Sequence, residues 1–246
     1  MRLLVDTRNG IAGDIMSAGL IGLGAEPDAV CGAMETAGSL MGQTRVSHII
    51  ESGIHRLHVN FESPGHLHAA KAKEYLNTAL DTAGIARPWS GMATQVLDVM
   101  IEAEGRVHSE HPSLRRHFHG PEPVLHEASD IIMDITGMAA GMMALDITAL
   151  GYLDRVNVGG GKVIFSHGTL DVPTPATRYI LDSRSIPWCT SDLGMESATP
   201  TGVSMLAGCG AVRFTEEPPF VRKSLAGGTR PLPPVAFILH SDRKNL

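Results

Sequence analysis

Between Glu104 and Asp134 the chain sets His108, His111, His117, His119 and His126 among Glu104, Glu127, Asp130 and Asp134, nearly half of its 12 histidines in about an eighth of its length. Neutral imidazole suits nickel, zinc, copper and iron, while carboxylates suit harder ions, so this segment offers the donors of a divalent metal site. A solvated, histidine-rich loop between two helices accounts for the same composition. On a helix, Glu104, His108 and His111 share a face at i, i+4 and i+7, which lets two side chains reach one ion; an ion pair between Glu104 and His108 explains that spacing equally well. His117 and His119 read as solvated loop residues.

A helix over about 126–150 puts His126, Glu127, Asp130, Asp134, Gly137 and Gly141 on one face, with Ile131, Ile135, Met138, Met142 and Leu145 on another. Each interior glycine costs about 1 kcal/mol against alanine, so the pair admits a ligand or another backbone beside the two aspartates. Close helix packing is the plainer use of such a pair, and acids near a helix start favour its dipole. Asp134, one turn further in, is the stronger functional candidate.

A second constellation is Asp6-Thr7-Arg8-Asn9-Gly10-Ile11-Ala12-Gly13-Asp14, placed where a strand's carboxyl end meets a helix amino terminus, the ligand side of an α/β sheet. Backbone N–H groups there can hold a phosphate, and Asp6 or Asp14 its metal. A tight turn with Asp14 capping the helix is the alternative. Thr199-Pro200-Thr201-Gly202 supplies a capping hydroxyl and a first-turn proline. Gly159-Gly160-Gly161-Lys162 reads as a hairpin turn before a phosphate loop.

A net charge of -6 disfavours the phosphate backbone of nucleic acid as a partner. Cys31, Cys189 and Cys209 lie far apart without paired spacing, so any metal is expected on nitrogen and oxygen. Met1 to Asp6 turns polar too soon for a signal peptide and no apolar run approaches membrane-spanning length, so the expectation is a cytoplasmic protein without membrane contact. The expected assembly is a homo-oligomer.

Periodicity predicts a mixed α/β (α+β) chain, several helices packed on a mixed sheet. Leu3-Leu4-Val5 is a strand, helices follow from about Ile15 to Leu23 and Pro27 to Ala37, and residues 44–62 form a hairpin around Gly53. Helices are predicted at about 69–83, 90–108 and 126–150, with an irregular loop from Ser109 to Pro123. Short strands at 155–158, 162–165 and 169–172, helices near 175–181 and 200–206, and a strand at 235–239 complete the chain.

Taken in order, these pieces resemble the LarC family, the nickel insertion proteins of nickel-pincer cofactor biosynthesis. The resemblance rests on Asp6 with Gly10-Ile11-Ala12-Gly13-Asp14, on Ala103-Glu104 with Val107-His108, and on His126-Glu127 followed by Asp130 and Asp134-Ile135-Thr136-Gly137. It continues through Asp154-Arg155-Val156, His167-Gly168, Val172-Pro173-Thr174-Pro175-Ala176-Thr177, Thr199-Pro200-Thr201-Gly202 and Ala226-Gly227-Gly228-Thr229-Arg230. His117-Phe118-His119 is similar to the family's histidine motif as well.

The resemblance implies CTP-dependent nickel insertion into pyridinium-3,5-bisthiocarboxylic acid mononucleotide, with nickel–sulfur bonds and one nickel–carbon bond formed. It makes residues 1–246 a single LarC-type N-terminal domain, or two lobes dividing near 110–123. The CTP-binding C-terminal domain of longer members is expected to be absent, so CTP with Mg or Mn would come through a separate partner. Metallating a ring carbon removes its proton, which requires a base. Asp134 or His126 is the candidate base and Asp14 a further catalytic candidate. His108, His126, Glu127, Asp130 and Glu104 are candidate transient nickel ligands. Asp6, Gly10, Gly13, Asp14, Thr199, Thr201 and Gly202 are candidate cofactor-binding positions. Two other readings use the same residues: a nickel-binding chaperone or storage module without catalysis, and a magnesium-dependent phosphate or nucleotide enzyme.

Overall fold

A computed structural model describes residues 1–62, 65–110, 123–165 and 168–241. The expectations placed on His111, His117, His119 and His167, and on a lobe boundary at 110–123, lie largely outside the described residues.

The alternation of Leu3 and Val5 with Leu4 sends successive side chains to opposite faces of strand β1 (Arg2–Val5). Leu3 and Val5 join the main core, whereas Leu4 packs with Leu153, Ile238 and Phe214 on the other face. β1 lies in the middle of a seven-stranded mixed sheet. On one side it pairs in parallel with β6 (Ala149–Leu153), which pairs in parallel with β11 (Val212–Phe214). On the other side it pairs antiparallel with β13 (Val235–His240), followed by β12 (Arg222–Ala226) and the hairpin β3 (Ile54–Phe61) and β2 (Thr44–Glu51).

Helix α1 (Gly13–Gly22) lies on β3, β12 and β13, and only its glycines allow that approach. A Cβ at Gly19 would strike the Phe237 ring, and Ser224 Oγ donates to the Gly19 carbonyl at 2.9 Å. Over α1 lies α5 (Ala128–Ala144), enclosed by α1, α2 (Pro27–Ser39), α3 (Ala69–Thr82) and α4 (Trp89–Glu110). From Ala128 to Met142 every residue of α5 except Asp130 is buried, which is what a helix with apolar residues all round must achieve. Gly137 faces Met34 and Ser17, and Gly141 faces Leu20, so both glycines admit neighbouring helices.

Most predicted elements are present, with the hairpin at 44–51 and 54–61 matching the sequence reading. The helix expected over 126–150 is shorter. His126 belongs to β5 (Val124–His126), α5 stops at Ala144, and the apolar run at 149–153 is β6. Asp146, with φ 51°, breaks the helix. Pairing with β1 and β11 on both edges then makes a buried strand of residues whose periodicity alone does not tell strand from helix. Helix α4 runs on to Glu110, two residues past its expected end.

The remaining elements are β4 (His66–His68), which pairs with β5, then β7 (Val156–Asn157), β8 (Lys162–Phe165), β9 (Gly168–Asp171), α6 (Pro175–Ser183), β10 (Trp188–Cys189) and α7 (Pro200–Gly208). No helix among the described residues is long and apolar enough to cross a membrane. Replacing Gly137 with leucine is expected to cost about 1–3 kcal/mol or more by overpacking against Met34 and Ser17, lowering the melting temperature by several degrees in a thermal scan.

Candidate metal and substrate cavity

Four helix amino termini meet at one cavity of about 450 Å³: Gly13 and Asp14 from α1, Glu127 and Asp130 from α5, Thr174 and Pro175 from α6, and Thr199 and Thr201 from α7 all line it. Each helix start carries roughly half a positive charge and unsatisfied N–H groups, so the convergence favours an anionic guest. Glu104 and His108 on α4, His126 at the end of β5, and Asp134 inside α5 complete the polar wall. Val163, Ile164 and Leu170, from the β8–β9 hairpin, supply apolar surface with Leu57, Val59 and Phe61.

Local geometry explains how distant residues reach this place. Glu127 takes a left-handed backbone (φ 58°, ψ 36°) that turns the chain from β5 into α5, so His126 and Asp130 reach the same cavity. Gly13 has no Cβ, and one there would collide with the Asp134 carboxyl, so only glycine lets α1 begin against that acid. Ile11 N donates to the Ser197 carbonyl at 2.9 Å and Thr199 N to the Ile11 carbonyl at 3.0 Å, which ties the α1 entry loop to the segment leading into α7. Gly10 (φ 96°) abuts the Ser197 carbonyl and Gly202 the Ile11 carbonyl, so these two glycines make the join and lie outside the cavity lining.

Asp14, Asp130 and Asp134 stand close enough for their charges to act on one another. Burial raises the Asp130 carboxyl to about 7, helped by the charges of Asp14 and Glu127. Asp134 is raised well above the ordinary carboxylate range by burial and by Asp130 and Asp14. Asp14 is also raised by burial, against the pull of its hydrogen bond from Ile15 N and of Arg230 and Arg56. Three acids so placed hold protons or require a cation.

On the imidazole side, His108 Nε2 lies 3.3 Å from Glu104 Oε2, and the His108 and His126 rings stack with centroids 5.3 Å apart. Glu104 and His108 thus contact each other, as the ion-pair reading expects, and both line the cavity. Among the described residues no group of three or more His, Cys, Asp or Glu side chains is already arranged around a single ion position.

Asp6 goes elsewhere. It receives Arg8 Nε at 2.8 Å and Arg8 Nη2 at 2.7 Å outside the cavity lining. Burial opposes its ionisation, but the Arg8 hydrogen bonds prevail and hold the carboxyl below its ordinary value. Thr199 caps α7, its Oγ1 accepting from Gly202 N at 3.2 Å.

Sequence reasoning missed three residues. His66 stands edge-on to the His126 ring at 4.8 Å, through the β4–β5 pairing that no local pattern announces. Glu196, 5% exposed, and Arg230 line the cavity with Nη1 3.4 Å from Oε2. Glu196 stands three residues before Thr199, and Arg230 closes the Ala226–Arg230 block, so nearness to motifs was their available signal.

The model of the nickel insertion protein family matches residues 3–238. The chain belongs to that family. It is 32% identical over 216 residues to a putative nickel insertion protein of Methanothrix thermoacetophila, covering 83% of this chain and 49% of the relative. It is 32% identical over 204 residues to a pyridinium-3,5-bisthiocarboxylic acid mononucleotide nickel insertion protein of Nocardioides sp., covering 82% and 49%. A protein of the same description from Staphylococcus epidermidis is 27% identical over 207 residues, covering 84% and 50%. The chain thus spans about half the length of these curated relatives. No solved structure matches it.

The acid cluster gives a signed expectation for this family member. Folded Asp130 keeps its proton up to about pH 7, whereas an unfolded aspartate releases it near 3.8, so its contribution to stability falls as pH rises between those values. Asp130→Asn is therefore expected to melt higher than the parent chain at pH 8 and to show a flatter decline from pH 5 to pH 8. Parallel pH profiles of melting temperature for the two proteins would count against the buried-acid account.

Proposed function

We propose that this chain performs the nickel-handling part of nickel insertion into pyridinium-3,5-bisthiocarboxylic acid mononucleotide, the substrate in the names of two of its relatives. The observation that supports this reading is a single cavity lined by imidazoles from α4 and β5, acids from α1 and α5, and the amino termini of four helices. Nickel is cargo here and the mononucleotide an anion, so the reaction needs donors and an anion site within one enclosure.

In this reading Asp14, Asp130 and Asp134 attract the cation, while His108 and His126, with Glu104 and Glu127 beside them, hold it loosely. Thiocarboxylate sulfur is a softer donor than carboxylate oxygen, which favours transfer onto the substrate. Asp134 gives up its own proton to solvent as the cation enters, and the resulting carboxylate accepts the ring proton. The C–H bond breaks, its electron pair becomes the nickel–carbon bond, and the proton stays on a carboxyl whose burial makes it basic enough for the task. In this reading the reaction takes place in the cytoplasm and draws CTP with Mg or Mn through a CTP-binding partner.

Purified chain given nickel, the dithioacid mononucleotide and CTP, with the partner, is expected to yield the nickel–carbon product. Asp134→Asn should lower the single-turnover rate by about 10²–10⁴-fold while nickel binding persists. His108→Ala and His126→Ala should weaken nickel binding in competition with a chromogenic chelator. Stoichiometric nickel binding without product, partner present, would instead make the chain a nickel chaperone or store. Phosphate release with magnesium and no nickel would make it a nucleotide enzyme.

A further inference from the structure

The segment before α7 carries an acid that the nickel chemistry does not use. Glu196 is 5% exposed, lines the cavity, and has an Oε1 that reaches no hydrogen-bond donor among the described residues. Its other oxygen lies 3.4 Å from Arg230 Nη1, which also donates to the Glu196 backbone carbonyl at 2.8 Å. The backbone on either side is clamped: Gly160 N donates to the Met195 carbonyl at 3.1 Å and Ser197 N to the Val158 carbonyl at 3.1 Å. A buried carboxylate oxygen lacking a donor costs free energy unless a guest supplies one.

Three residues further on, Thr199 caps the nine-residue helix α7, whose start lines the same cavity. Three extended residues span about 10 Å at most, the scale of one sugar phosphate. A helix amino terminus holds phosphate, and a nearby carboxylate can accept from ribose hydroxyls, the division of labour seen where nucleotides bind α/β sheets. Arg230 reaches Glu196 through Nη1, leaving the rest of a side chain that is 44% exposed to face a phosphate.

We propose that Glu196, Arg230 and the amino-terminal turn of α7 form a ribose-phosphate subsite, with the phosphate on α7 and Arg230 and a ribose hydroxyl donating to Glu196 Oε1. The proposal rests on the mononucleotide reading above and names where its sugar phosphate sits. It leaves the nickel-binding acids and imidazoles to the pyridinium end.

Calorimetric titration of the intact chain with ribose 5-phosphate and with inorganic phosphate separates the two parts. Arg230→Ala is expected to weaken both probes by about tenfold or more. Glu196→Ala should weaken ribose 5-phosphate by a similar factor and leave inorganic phosphate unchanged. If the alanine variant fails to fold, Glu196→Gln, which keeps the shape, should give a smaller loss with the same selectivity. Absence of ribose 5-phosphate binding by the parent chain, or equal affinity in the Glu196 variants, overturns the subsite. The nickel insertion assay, read separately, decides whether the mononucleotide reading falls with it.

Discussion

Enclosure of three carboxyl groups in one cavity, Asp134 buried and Asp14 and Asp130 half-buried, is the constraint around which the molecule is arranged. Asp14, Asp130 and Asp134 come from two helices, and each raises the cost of ionising another. Such a cluster survives folding by holding protons, and it becomes a strong cation attractor when they leave. The surrounding structure bears this cost through apolar burial, because α5 places nearly its whole surface against α1, α2, α3 and α4. Gly13, Gly137 and Gly141 let those helices close over the acids without displacing them.

The same closeness gives the cavity its two characters. One part gathers acids and the stacked imidazoles of His126 and His108, and His66 stands edge-on to His126 outside the lining. The other gathers helix starts, Arg230 and hydroxyls, and is suited to an anion. The strap from Met195 to Thr199 joins them, bonded to Val158, Gly160 and Ile11. Under the proposed function, the mononucleotide in the names of two relatives, both a metal ligand and a phosphate ester, would span both parts.

Much of the fold was legible. The hairpin at 44–61, the helices at 69–82 and 89–110 and the terminal strand carry strong local periodicity, and the structure keeps them. The 149–153 run was not, because a short apolar stretch fits a buried helix or a strand, and only β1 and β11 beside it decide. β12, Arg-Lys-Ser-Leu-Ala, looks polar because one of its faces is exposed. For the site, Asp14, Asp130, Asp134, His108 and His126 were named from residue type and spacing. Asp6 was named for the same reasons, yet Arg8 two residues later claims it.

The sequence by itself determined which side chains can bind a cation, where helices begin, and which family's blocks appear in order. Those are properties of residue type and near-neighbour spacing, and the helix period carries them. Tertiary structure alone decided that Gly13 would press on Asp134, that β4 would bring His66 to His126, and that Glu196 and Arg230 would meet from positions 34 apart. Such meetings depend on strand register and on how closely backbones approach, and no local pattern encodes either.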